Sequence, residues 1–163
     1  MAETSVVSGQ VRRDRDPLLG TWLRAQGFPP DDINAVIANR TTPLMQACRL
    51  GDRAIVDALI GAGASLEAIN RDGNNALWLA CFNEDPVIID RLLSSGIAVD
   101  HQNDSGATCL MYAASSSKTA VVARLLEAGA ATGLRNQDDF TALDMAGNLD
   151  CLKLLRSASR GES

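Results

Sequence analysis

Thr42-Pro43-Leu44-Met45-Gln46-Ala47 is the stretch that decides how this chain folds, because it returns three more times. The copies are Asn75-Ala76-Leu77-Trp78-Leu79-Ala80, Thr108-Cys109-Leu110-Met111-Tyr112-Ala113 and Thr141-Ala142-Leu143-Asp144-Met145-Ala146. Leu44, Leu77, Leu110 and Leu143 stand 33 residues apart, and so do Ala47, Ala80, Ala113 and Ala146. Gly63, Gly96 and Gly129 keep the same period. Three series with one period mark a repeat in which each unit buries its apolar face only against its neighbours.

Within a unit the pattern reads as two short helices. The first begins at the Thr or Asn of the quoted stretch, whose side chain can accept from exposed backbone N–H groups, and Pro43 suits a first helical position. The second carries paired apolar residues: Ile55, Val56 and Leu59; then Ile88, Ile89, Leu92 and Leu93; then Val121, Val122, Leu125 and Leu126. This spacing gives one buried stripe on a helix. Asp52 and Asp85-Pro86 are its starts, and Gly63, Gly96 and Gly129 its stops, where glycine takes the left-handed conformation. Polar connectors follow at Asn70-Arg71-Asp72-Gly73, Asn103-Asp104-Ser105-Gly106 and Asn136-Gln137-Asp138-Asp139, with residues that suit tight turns.

The 33-residue period and the T-P-L-H-x-A pattern resemble the ankyrin-repeat family. The closing L-L-x-x-G-A pattern appears as Leu59-Ile60-Gly61-Ala62-Gly63-Ala64, and again over 92–97 and 125–130. The resemblance covers residues 16–156 and implies an all-α solenoid of stacked helix-turn-helix pairs, with no strand pairing beyond the turn tips. One departure is consistent: Met45, Trp78, Met111 and Asp144 stand where the family has histidine. The hydrogen bonds of that histidine are therefore lost, and weaker coupling between repeats is expected.

The ends are atypical, as a solenoid requires. Asp16-Pro17 opens a helix with Leu18, Leu19, Trp22 and Leu23 on one face, and Leu23 precedes Gly27 by the four residues that separate Leu59 from Gly63. Residues 16–36 read as a half-repeat cap that has only a second helix, with Trp22 in the core and a long loop at Phe28–Asp32. Whole repeats follow at about 37–69, 70–102 and 103–135. The last unit, 136–156, is three residues short, close to one helical turn, and reads as a C-terminal cap. Residues 1–15 and 157–163 are expected to be flexible segments.

Composition excludes several functions. Lys and Arg number 15 against 20 Asp and Glu, a net charge of −5, so no basic stripe for nucleic acid is expected. No apolar run is long enough to span a bilayer. Arg12, Arg13 and Arg15 are not followed by the apolar stretch of a signal peptide, and a cytoplasmic protein is expected. Arginine outnumbers lysine, of which Lys118 and Lys153 are the only two, and that bias suggests a GC-rich bacterial source.

Candidate chemistry is sparse. His101 is the only histidine and reads as a solvated connector residue rather than half of a nucleophile pair. Cys48, Cys81, Cys109 and Cys151 form no C-x-x-C pair and no zinc-ligand spacing. Stacked helices lie about 8–10 Å apart, too far for a Cys48–Cys81 disulfide, whose Cα atoms need to lie within about 7 Å. All four read as packing residues. Trp78 reads as a side chain packed between repeats, and Thr119, in Ser115-Ser116-Ser117-Lys118-Thr119, as a helix cap rather than a phosphorylation site. No catalytic residue, cofactor or metal is expected.

The resemblance instead implies a protein-interaction module whose turn tips and concave first-helix face touch a partner protein. Carried over by register, the candidate contact residues are Arg71, Asp72, Asn74, Phe82, Asn83, Asp104, Ser105, Tyr112 and Phe140. Ala38, Asn39, Thr41, Ala107, Gln137 and Asp138 complete the tips, while Arg49, Leu50, Ser115, Ser116, Gln46, Leu79 and Met145 complete the helix face. Large apolar side chains among them, Phe82 and Phe140, point most strongly to a partner. A monomer is expected. The alternative is a specific inhibitor or stabiliser of one partner enzyme, related to stress or toxins.

Overall fold

The computed structural model describes residues 17–161. Its helices are α1 (Pro17–Ala25), α2 (Pro43–Leu50), α3 (Arg53–Gly61), α4 (Ala76–Asn83), α5 (Pro86–Ser94), α6 (Cys109–Ser115), α7 (Thr119–Glu127), α8 (Ala142–Met145) and α9 (Leu149–Gly161), with a 3-10 turn at Ala38–Arg40. Among the described residues there is no strand, only an isolated antiparallel bridge between Ile37 and Thr41. The fold is the expected all-α solenoid.

Two layers stack. The inner layer runs α2, α4, α6, α8, and the outer layer runs α1, α3, α5, α7, α9. Helix α1 packs on α3, so it sits where a second helix sits in the units that follow.

Local chemistry starts each inner helix. Thr42, Asn75, Thr108 and Thr141 accept from the backbone N–H of Met45, Trp78, Met111 and Asp144. Such a cap contributes about 1 kcal/mol. Asp52 caps α3 and Asp85 caps α5 in the same way. In α7 the rule breaks. Thr119 lies inside the helix and Lys118 occupies the capping position without a side-chain bond to the helix N–H groups. The Thr119 hydroxyl instead accepts from Asn148 Nδ2 at 3.2 Å, tying α7 to the start of α9. The expected Thr119 cap is therefore corrected: Lys118 takes the position one residue earlier.

The core lies between the layers. Leu44, Leu77 and Leu110 meet the outer stripe of Ile55, Val56, Leu59, Ile88, Ile89, Leu92, Val121, Val122 and Leu125, all buried. A fully buried leucine contributes roughly 2 kcal/mol. Ala47, Ala80 and Ala113 are fully buried, and their small side chains let inner helices approach. Leu93 and Leu126, at the edge of the stripe, are only half-buried. Met45 and Met111 are each 1% exposed, so two of the four positions that could have held histidine carry core side chains instead.

The ends refine the reading. Leu18 is exposed rather than part of the α1 stripe, and Trp22 is half-buried. Phe28 is buried and stacks on Trp22 with ring centroids 6.3 Å apart. Its N–H donates to Leu23 O, as Ala64 donates to Leu59, Ile97 to Leu92 and Ala130 to Leu125. Phe28 thus fills a repeat position rather than a loop. At the other end α8 has four residues against eight in α2 and α4. Gly147 N–H then donates to Ala114 O at 2.8 Å, engaging a carbonyl in the last turn of α6. Helix α9 runs on to Gly161, past residue 157 where a flexible tail was expected, and Ser159 Oγ donates to Leu155 O along it. The segment expected to be flexible at residues 1–15 lies outside the described residues, as do 162 and 163.

Candidate functional site

The turn tips are built by one asparagine repeated three times. Asn70 Oδ1 accepts from Asp72 and Asn74 N–H, Asn103 Oδ1 from Ser105 and Ala107, and Asn136 Oδ1 from Asp138 and Phe140, each at 3.0 Å or less. A side-chain carbonyl that satisfies two backbone donors fixes the turn. Neighbouring tips are then joined by backbone bonds: Arg71 N to Asn39 O, Asp104 N to Asp72 O and Gln137 N to Ser105 O. The tips form a continuous ladder along one edge of the solenoid.

The candidate residues divide on this frame. Arg71, Asp72, Asp104 and Ser105 are exposed on consecutive tips. Asn74 is half-buried and accepts from Asn103 Nδ2 at 2.9 Å, so its side chain joins two tips. Ser105 Oγ donates to Asn103 Oδ1 within its own turn. On the inner helices Phe82 is 58% exposed and Tyr112 is half-buried, while Phe140, in the last tip, is 50% exposed. Asn83 Nδ2 donates to Arg49 O at 3.2 Å, which satisfies a carbonyl at the end of α2. Asn74 and Asn83 therefore have structural partners as well as exposure.

A cleft of about 200 Å³ connects tips and helices, lined by Asn39, Arg49, Asn70, Asp72, Asn74, Trp78, Leu79 and Phe82. Its floor is apolar and its rim is charged, the usual character of a recognition site. Trp78 is half-buried and its ring lies 5.0 Å from that of Tyr112 on the next unit, as a side chain packed between repeats.

Lys118 braces this region, which the sequence reading missed. Its Nζ pairs with Glu84 at 2.8 Å, lies 3.4 Å from Phe82 O and sits 5.8 Å from the Tyr112 ring centre. A signal for it exists. Glu84 and Lys118 are 34 residues apart, as are Asp57 and Arg91, and Asp90 and Arg124. Both of those pairs bridge outer helices, Asp57 to Arg91 at 2.8 Å and Asp90 to Arg124. Arg53 and Asp85 add a fourth bridge at 2.8 Å. Burial alone would raise the Asp85 carboxyl; the Arg53 hydrogen bond, the two capped N–H groups and the Arg53 charge outweigh it and hold the carboxyl below its ordinary value.

The lone histidine and the four cysteines are engaged in the fold. His101 is half-buried, and its Nε2–H donates to Gly73 O at 2.6 Å, since a carbonyl can only accept. It is a bonded tip support, not the solvated residue expected. All four cysteines are buried and free. Burial, then the neighbouring Cys81, pushes the Cys48 thiol up; the bond to Cys81, then burial, does the same for Cys109. A thiol held protonated is a poor nucleophile. Among the described residues no group of three or more His, Cys, Asp or Glu is placed to hold a metal ion, and no helix is long and apolar enough to cross a membrane.

Two overlapping stretches of the chain, residues 13–103 and 77–162, match the family described as ankyrin repeats (3 copies). The chain belongs to the ankyrin-repeat family. Ankyrin repeats are generally protein-interaction modules and typically non-enzymatic.

Proposed function

We propose that this ankyrin protein binds a partner protein through its turn tips and inner-helix face, with the Phe82 cleft at the centre. The observation that carries the reading is Phe82 itself, an aromatic ring 58% exposed beside a cleft floored by Trp78 and Leu79. Exposed aromatic area next to a pocket is where binding energy concentrates. Arg71 and Asp72 supply charged contacts at the rim, Tyr112 and Phe140 extend the face, and Asp104 and Ser105 continue the tips. Asn74 and Asn83 contribute mainly by holding these residues in place. The working unit in this reading is residues 16–156, acting as a monomer in the cytoplasm.

Affinity capture from the native cell with mass spectrometry tests it. Phe82→Ala and Arg71→Ala are each expected to weaken capture of the same partner at least tenfold, with an unchanged helical circular dichroism spectrum. Asp57→Ala and Arg91→Ala, on the outer helices, are expected to leave capture unchanged. Capture lost only on the outer substitutions overturns the assignment.

A further inference from the structure

Charge is not spread evenly along the tip ladder and the inner helices. At the N-terminal end stand Arg40, Arg49 and Arg71, all exposed. Arg49 is oriented: its Nη2 donates to Gln46 Oε1 at 2.9 Å, and Gln46 Nε2 donates to Gln26 Oε1 at 2.9 Å. A guanidinium has five N–H donors, so this bond leaves others directed at solvent. Asp72 sits on the rim of the Phe82 cleft, where the sign changes. Beyond it come Asp104, Asp138, Asp139 and Asp144, all exposed. Arg135 partly offsets Asp139 at 3.8 Å. Asp144 accepts from the Thr141 backbone and hydroxyl, bonds that hold its carboxyl below the usual range and keep it charged. Between the two ends Lys118 is paired with Glu84, leaving the apolar cleft flanked by opposite charges.

We infer that the partner segment this face takes is itself polarised: acidic at the end lying over Arg40, Arg49 and Arg71, apolar at the Phe82 cleft, and basic over Asp104 and Asp138. This rests on the concave-face reading and adds the chemistry of the partner. The spacing makes the demand a local one. Successive units lie about 10 Å apart, while charges are screened beyond about 8 Å at physiological salt. Each unit therefore senses only the residue directly over it, and a ligand with one compact charge would engage one end alone. Three steps along the ladder span roughly 30 Å, the length of about nine extended residues.

The test is a library of random 12-residue peptides displayed on phage and selected on the immobilised full chain. Selected sequences are expected to carry an aromatic or large aliphatic residue with acidic residues on one side and basic residues on the other. Arg49→Glu with Arg71→Glu should weaken those peptides at least tenfold and select sequences without the acidic cluster. Asp104→Lys with Asp138→Lys should remove the basic cluster instead. The wild-type selection decides the matter even if a reversal variant folds poorly. Peptides of one charge sign, peptides without charge preference, or no enrichment would each overturn the inference. If such peptides still lose binding in Phe82→Ala, the concave face stands and only the polarised partner falls. Peptides indifferent to Phe82→Ala would sink the concave-face reading itself.

Discussion

The outer helices and the inner face of this molecule use the same 33-residue period to opposite ends. On the outer side, what repeats is side-chain chemistry: Asp57–Arg91 and Asp90–Arg124 are the same bridge made twice, and Arg53–Asp85 is a third link between the same helices. On the inner side, what repeats is the backbone device. The capping residues and the turn asparagines recur, while the exposed positions they present are Arg49, Phe82 and Ser115, three unrelated chemistries at one register. Repetition across units marks what holds the solenoid together. Departure from it, on a face whose backbone is held constant, marks what the solenoid displays.

The sharpest way to break this contrast is at the two kinds of glycine. Gly73, in a tip, has φ +79, and a Cβ there would meet the Asp104 side chain and stand 2.8 Å from Asp104 N. That nitrogen is the donor to Asp72 O in the tip ladder. Gly73→Ala is expected to cost about 3 kcal/mol, the sum of left-handed strain and an overpacked contact. Gly96, at the end of an outer helix, has φ +92 and open space around a Cβ. Gly96→Val should cost only the backbone strain, about 1–2 kcal/mol. Urea melts would compare them. Equal costs would mean that the tips are not interlocked as the ladder describes.

Much of this was legible in the sequence, and what was not has identifiable causes. The glycine stops and the helix starts, that of α7 excepted, follow from local rules that each unit obeys alone. Phe28 was missed because its repeat position holds Ala64, Ile97 and Ala130, so a lone aromatic after Gly27 reads as loop. Lys118 was missed as a brace because the pairing lies between units, at a 34-residue spacing that a 33-residue repeat search passes over. His101 looked solvated because its partner is a backbone carbonyl 28 positions earlier, which no side-chain pattern reveals. The exposed faces were placed by register, yet only geometry separates Phe82, with its ring outward, from Asn83, whose amide is bonded to Arg49 O.

The outer bridges can be tested through pH. Asp85 both caps α5 and pairs with Arg53, and its carboxyl is held below the ordinary value of 3.8. A carboxyl lowered in the folded state contributes stability above its unfolded value, and that contribution is lost as pH falls through the folded one. Asp85→Ala should therefore cost about 1 kcal/mol at pH 7, mainly through the lost cap. The gap between the variant and the parent should narrow below about pH 4, as the charge-dependent part of it is lost. A gap unchanged at about pH 2 would mean that Asp85 acts through the neutral cap or packing and not by charge. Asp57→Ala, which breaks an exposed bridge, should cost well under 1 kcal/mol at any pH.

The smallest expected effect separates strain from charge on the inner side. Gly51, Glu84 and Ser117 follow the ends of α2, α4 and α6, and all three have left-handed φ, at 75, 69 and 58 degrees. Glycine suits that conformation; the other two are strained by about 1 kcal/mol, against which glycine's extra freedom in the unfolded chain costs roughly 0.5–1 kcal/mol. Ser117→Gly should thus be near neutral, stabilising by a few tenths of a kcal/mol at most. Glu84→Gly relieves the same strain but also removes the partner of Lys118, whose side chain is only 14% exposed. The difference between the two variants isolates the Glu84–Lys118 pair, expected to be worth about 0.2–1 kcal/mol. It should shrink as salt is raised, because Glu84 is half exposed and its attraction is screened. If Glu84→Gly proves as harmless as Ser117→Gly in low salt, Lys118 is held by the Phe82 carbonyl and the Tyr112 ring alone. The inner face would then owe nothing to the charge pairing that links the outer helices.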